Sequence, residues 1–292
     1  MLPSEVIKKI KKIHIKSGRV VNAMMAGNYR SVFRGSGIEF EETREYYPGD
    51  DVRSIDWKVS ARMGRPFIKL YREERELILM LVVDMSASGL FGTGENVKKD
   101  AIIEIAAILA FNAIKNNDKV GAILFTDHVE KYIPPQKGSA HIWRVIREIF
   151  TFSPKGTGTD IREAMAYQGR VCRKKTISFL ISDFMTRDYM KSLKIASKKH
   201  ELIGVMVSDP GEFALPPGGL VSARDLETGK TAIWDASHPG TRNAFEQMMK
   251  SQCDDALEKL KRADIDCLRI DSSMSPADAL AKFFQRRAQR IR

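Results

Sequence analysis

The chain has 292 residues, 43% of them apolar, and a formal net charge of +11. That length and apolar content suffice for a full hydrophobic core, in one large domain or one domain with a smaller companion, and exclude disorder by composition. The basic balance favours acidic partners (nucleic acid, an anionic membrane surface, an acidic protein) without choosing among them, and 48 basic residues spread among 37 acidic ones read mostly as solvated surface. The three cysteines, Cys172, Cys253 and Cys267, are odd in number and form no CxxC. They are expected to be free, largely buried thiols in a reducing compartment. No segment approaches the roughly 20 apolar residues of a membrane span, and the N-terminus lacks an apolar targeting core with a cleavage site. The expected location is the cytoplasm.

In chain order, residues 4–17 (SEVIKKIKKIHIKS) predict a helix: Ser4 caps it, and Val6, Ile7, Ile10 and Ile13 fall at helical spacing among five lysines. Its isoleucine stripe either docks on the domain or makes a peripheral contact with a membrane or an acidic partner. Residues 28–75 are dense in charge, aromatics and glycine and show no helical period, with a turn at Pro48-Gly49 and strand-like alternation over 67–71.

From residue 76 the texture changes. The run LILMLVVD (77–84) predicts a strand buried on both faces. A helix follows over 96–115, with Val97, Ala101, Ile105, Ile108 and Leu109 on one face. Further strands are expected over 119–125, 129–133 (an edge), 176–182, 202–207 and 265–270, and helices over 139–150, 160–172, 187–199, 241–263 and from 276 onward. The Gly- and Pro-rich stretch 211–237 suits a hairpin. Strands alternating with helices mean an α/β, doubly wound, mostly parallel sheet, with ligands expected beyond the carboxyl ends of the strands.

Three loops at such ends carry oxygen donors: DMSAS (84–88), GTGTD (156–160) and SDF (182–184). Asp84, Ser86, Ser88, Thr159 and Asp183 together make two carboxylates and three hydroxyls, the hard oxygen set that one Mg²⁺ takes, or Mn²⁺ or Ca²⁺ in its place. Singly, each has a plainer reading as a turn or loop-amide partner. Asp160 is placed to cap the following helix, with Glu163 completing a capping box, which leaves Thr159 free.

These three loops resemble the metal-site loops of von Willebrand factor A domains. The segment 44–62 (REYYPGDDVRSIDWKVSAR) is similar to the signature of the bacterial family catalogued as domain of unknown function fifty-eight. The resemblance implies a von Willebrand A-like, Rossmann-like domain over 76–292, preceded over 1–75 by the basic helix and the signature segment. It also implies a metal-ion-dependent adhesion site (MIDAS), with Asp84, Ser86, Ser88 and Thr159 near the ion and Asp183 reaching it directly or through water. In such domains a partner's carboxylate completes the shell. Family members are often encoded beside MoxR-type AAA+ ATPases, which implies an assembly or maturation role for a protein-binding adaptor. Many relatives carry N-terminal membrane helices; none is expected from this sequence, so the resemblance does not imply membrane anchoring. In the signature segment, Arg44, Glu45, Asp50, Asp51, Arg53, Asp56 and Arg62 are expected to pair among themselves around Trp57, or else to form a docking face.

No HExxH, Walker A or GxSxG motif is present, and the five histidines have no ligand spacing. No catalytic residue is assigned. The alternatives to an adaptor are an Mg²⁺-dependent phosphate-ester hydrolase and a nucleic-acid-binding module. The hydrolase reading lacks the second acid two residues after Asp84, where Ser86 stands, and the nucleic-acid reading has charge but no recognisable motif.

Overall fold

The structure, a computed structural model, describes residues 37–74, 77–94 and 97–290; the helix expected over 4–17 lies outside them. The described residues fall into two compact units that divide between Leu77 and Ile78.

In the smaller unit, β1 (Gly37–Glu45) pairs antiparallel with β2 (Phe67–Glu74), with a bulge between Phe40 and Glu42. Between them lie a 3₁₀ turn (Val52–Ser54) and α1 (Trp57–Met63). The sequence reading had no helix here. Asp56 accepts hydrogen bonds from the amides of Lys58 (3.0 Å) and Val59 (3.3 Å) and starts α1, and Gly64 ends it at φ +72°. Both cap signals are in the sequence, but seven residues are too few to show a period. The signature charges pair only in part. Arg44 grips Asp50 through two bonds of 2.8 Å, whereas Glu45 pairs with Arg65 and Asp56 with Lys69. Trp57 is 73% exposed, so the loop does not fold around it.

The larger unit is a six-stranded sheet in the order β10–β7–β6–β3–β4–β5. The strands are β3 (Ile78–Asp84), β4 (Lys119–Phe125), β5 (Val129–Gln136), β6 (Ile177–Ser182), β7 (Glu201–Ser208) and β10 (Asp266–Asp271). All neighbours run parallel except β5, which lies antiparallel on β4 at the edge. The apolar runs are central strands, with Leu79 through Val83 fully buried, because a parallel sheet is covered on both faces. One layer of helices holds α2 (Lys98–Asn116), α3 (Ser139–Phe150) and α7 (Pro276–Arg290), and the other α4 (Ile161–Val171), α5 (Met190–Lys199) and α6 (Pro239–Arg262). The apolar stripe read on α2 was too narrow. Ala106, Ala107, Ala110 and Ala113 are also buried, so this helix is enclosed nearly all round. Cys172 and Cys253 are buried, Cys267 is half-buried, and all three are free thiols. No helix among the described residues is long and apolar enough to cross a membrane.

The hairpin expected in 211–237 is present as β8 (Leu220–Arg224) and β9 (Thr231–Asp235), which pair only with each other. Before it, Asp209 follows β7 and caps a 3₁₀ turn (Pro210–Phe213).

Chain order decides where a ligand can sit. From β3 the chain moves to β4 on one side, and β6 later pairs on the other. The connections after β3 and β6 therefore depart in opposite directions and leave a crevice at their carboxyl ends, the usual binding place of an open α/β sheet.

Candidate metal centre

Asp84 ends β3 and Asp183 directly follows β6, on the two strands that flank the crevice. Register brings them together: Val83 lies opposite Ile181, so the next residues along each strand, Asp84 and Ser182, meet. The Ser182 hydroxyl donates to Asp84 Oδ2 at 2.6 Å. Backbone and side-chain hydrogen bonds tie the three loops together. Met85 N donates to Phe125 O and Ala87 N to Thr157 O, while Thr186 Oγ1 donates to Thr159 O. The second loop is braced by Glu130, which accepts from the amides of Lys155 (2.9 Å) and Gly156 (3.0 Å). A side chain at Gly156 would collide with Asp127 and Thr126, so only glycine fits there.

All five sequence-predicted residues come together. Asp84 Oδ1 accepts from Ser86 N at 2.9 Å, and Asp84 Oδ2 accepts from Thr159 Oγ1 at 3.4 Å. The Ser86 and Ser88 hydroxyls stand 3.1 Å apart, and the Ser88 hydroxyl also reaches Asp183. Asp84, Ser86, Ser88, Asp183 and Lys98 line a cavity of about 10 Å³, the room of one water-sized occupant, which Ile102 and Val207 close on the apolar side. Thr159 does not line it and joins the set through Asp84. Ser86 is only 5% exposed. Asp160 caps α4 through the amides of Arg162 and Glu163, as its spacing predicts. The predicted capping box is not completed, because Glu163 instead receives Arg170 at 2.9 Å.

Sequence reasoning missed three members of the site. Lys98, at the start of α2 and 1% exposed, donates from Nζ to Asp183 Oδ2 at 2.8 Å and to Glu212 Oε1 at 2.5 Å. Glu227, at the tip of the β8–β9 hairpin, accepts from Thr159 Oγ1 at 2.7 Å and from the Ser86 hydroxyl. No local pattern announces these residues, because their partners lie 85, 114 and 68 positions away along the chain.

The Lys98 ammonium is shared by Asp183 and Glu212, while Asp84 and Glu227 join the cluster through the hydroxyls of Ser86 and Thr159. Burial pushes Asp84 up to about 7, and the facing Asp183 adds to the rise. Burial also acts to raise Asp183, but Lys98 outweighs it and holds that carboxyl below its usual range. Burial would lower the Lys98 ammonium, but Asp183 and Glu212 reverse the effect and raise it. Glu212 and Glu227 are both raised, in each case chiefly by burial. Phe184, next to Asp183, is held at φ +59° and is buried; a bulky side chain in the left-handed region is strained, as is common where a backbone must present a ligand.

The donors suit a small, hard divalent cation: two carboxylates and three hydroxyls, without sulfur or imidazole. Among the described residues no three His, Cys, Asp or Glu side chains form a metal-binding group, so hydroxyls and water would have to supply the rest of a shell. The set contains a nucleophile-capable carboxylate in Asp84, but the nearest cation, Lys98, is spent on Asp183 and Glu212.

Solved structures with a similar backbone include BatB from Bacteroides thetaiotaomicron, at 17% identity over 73% of this chain and 99% of that one, with a TM-score of 0.49. Among curated proteins, the uncharacterized protein Rv1480 of Mycobacterium tuberculosis is 33% identical over 212 residues, 72% of this chain and 67% of that protein. The uncharacterized protein YeaD of Bacillus subtilis is 24% identical over 161 residues, 55% of this chain and 38% of that one. The family model described as "Protein of unknown function DUF58" matches residues 42–255, over both the signature segment and the loops built above, and the chain belongs to that family.

Proposed function

We propose that the larger unit is a von Willebrand A-like domain whose site holds one divalent cation, Mg²⁺ or a close substitute, and that the protein is a non-catalytic adaptor reading an acidic residue on a protein partner. The observation that carries this reading is the convergence of Asp84, Ser86, Ser88, Thr159 and Asp183 at the switch point of the sheet. Two carboxylates and neutral hydroxyls would leave a bound divalent ion formally neutralised but still electrophilic, with at least one open position. A Glu or Asp from outside satisfies both, and the chain's net charge of +11 favours encounter with an acidic surface. A MoxR-type AAA+ ATPase, or its client, is the partner we favour, with the cytoplasm as the place of encounter.

The test has two steps. Calorimetry with Mn²⁺ should give about one equivalent bound to the wild type and none to Asp84→Ala. The purified MoxR-type ATPase of the same organism should then bind in Mg²⁺ and be lost both in EDTA and with Asp84→Ala. Binding indifferent to all three conditions, or release of phosphate from simple phosphate esters by the purified protein, overturns the adaptor reading.

A further inference from the structure

We propose that Glu227 is an internal carboxylate ligand of this site, and that a partner's acidic side chain binds by taking its place. This rests on the metal reading above and specifies how that site is regulated. The hairpin is built to present this one side chain. At its tip, Asp225 Oδ1 accepts from the amides of Glu227 (2.9 Å) and Thr228 (3.1 Å), Gly229 N donates to Asp225 O at 2.8 Å, and Gly229 turns the chain at φ +71°. Asp225, Leu226, Thr228, Gly229 and Lys230 are exposed, while Glu227 alone is half-buried and turned inward. Its Oε1 accepts from Thr159 Oγ1 at 2.7 Å, its side chain from Ser86, and its backbone carbonyl from Thr157 Oγ1 at 3.2 Å. Two members of the candidate ligand set therefore already face a carboxylate supplied by this chain.

Charge makes a purely structural role for that contact costly. Thr159 has one hydroxyl hydrogen and stands between two carboxylates, Asp84 at 3.4 Å and Glu227 at 2.7 Å. Among the described residues Glu227 has no ion pair, and Lys98 serves Asp183 and Glu212. Like charges brought together out of water repel unless one takes up a proton or a cation lies between them. A divalent ion held by Asp84 would supply that cation, and Glu227 would stand where an external carboxylate is otherwise required.

The hairpin is also able to leave. Its two strands pair only with each other, a marginal arrangement in water, and Leu220 and Ile233 are 76% and 71% exposed. Its base is anchored by Trp234 stacked edge-on against Phe245, with ring centroids 5.3 Å apart, and by Ala236 N donating to Gly219 O. A fixed base and a tip held through one residue make a latch.

The experiment titrates Mn²⁺ into the full chain as wild type, Glu227→Ala, Glu227→Gln and Asp84→Ala, each with and without excess sodium acetate. Glu227→Ala and Glu227→Gln should weaken Mn²⁺ binding by about 10- to 100-fold. Acetate should restore most of the loss in Glu227→Ala and leave the wild type unchanged, because the position is already filled there. Unchanged Mn²⁺ affinity in both Glu227 variants overturns the inference and leaves the metal reading standing. Acetate tightening Mn²⁺ binding to the wild type shows the position open and overturns it too, as does a loss in Glu227→Ala that acetate does not restore. Absence of Mn²⁺ binding by the wild type overturns the metal reading and this inference together.

Discussion

Asp84 and Asp209 look alike in the sequence: each is an aspartate at the end of a buried parallel strand, with hydroxyls nearby. Their surroundings make opposite use of them. Asp209 is 1% exposed and fully occupied: it accepts from Thr93 Oγ1 at 2.7 Å, Ser272 Oγ at 2.5 Å and Gly211 N at 2.9 Å. Burial acts to raise its pKa, but these bonds outweigh it and hold the carboxyl below its usual range. Asp84, 4% exposed, also collects hydroxyls, yet it faces a second carboxylate and is pushed up to about 7. An acid with hydroxyls is thus an ordinary cap when nothing negative opposes it. It becomes a candidate site when the topology aims another acid at it.

The largest expected effect comes from removing the one ammonium on the Asp84 side. Lys98→Met leaves Asp183 and Glu212 buried without their cation and should cost about 3–5 kcal/mol in denaturant unfolding. Added Mn²⁺ should recover part of that loss, because a ligand bound only to the folded state stabilises it. A variant as stable as wild type would show that the acidic cluster needs no cation, and would erase the contrast with Asp209.

Next come the two aspartates themselves, with opposite signs. Asp209→Ala strands four donors, the Thr93 amide at 3.4 Å included, and should destabilise by about 3 kcal/mol at pH 7. Asp84→Asn removes a buried charge that faces another and should stabilise by about 1–2 kcal/mol at pH 7, while abolishing Mn²⁺ binding. The sign follows from linkage. Asp84 binds its proton more tightly folded than unfolded, so the wild type loses stability from this residue as pH rises from about 4 to about 7. Asp209 has a lowered folded pKa; its contribution is present above the ordinary carboxylate range and fades as pH falls through the folded value. Unfolding curves of wild type and Asp84→Asn should therefore converge near pH 4 and separate toward pH 7. Parallel curves would mean the two aspartates are equivalent caps.

The smallest effect on stability is expected at Thr159. It is half-buried in a loop, and Thr159→Ala should cost at most about 1 kcal/mol, a shift of about 2–4 °C in Tm. Mn²⁺ affinity should nevertheless fall measurably by calorimetry. Global unfolding of this variant would make the hydroxyl structural, as those around Asp209 are.

The fold was largely legible because central parallel strands must be apolar on both faces, so runs such as ILMLVV and ISFLI stand out. The five candidate donors were legible for a related reason: each lies in a short loop next to a strand or helix that the pattern located. What the sequence hid falls into two kinds. α1 was hidden by brevity, although Asp56 and Gly64 marked its ends. Lys98, Glu212 and Glu227 were hidden by distance. A lysine at a helix start or a glutamate in a polar turn reads as solvated surface until the chain fold brings its partner from 68 or more positions away.

The bond from Ser182 to Asp84 joins residues 98 positions apart, and it closes only when β3 and β6 lie side by side. Parallel pairing of this kind is late in folding, because the entropy of closing so long a loop must be overcome before any contact repays it. The ribosome must therefore release β6 before the acidic cluster exists, and a nascent chain carrying only β3, β4 and β5 has a lone aspartate with nothing to oppose it. The proposed cation site is therefore assembled only in molecules whose central sheet is complete.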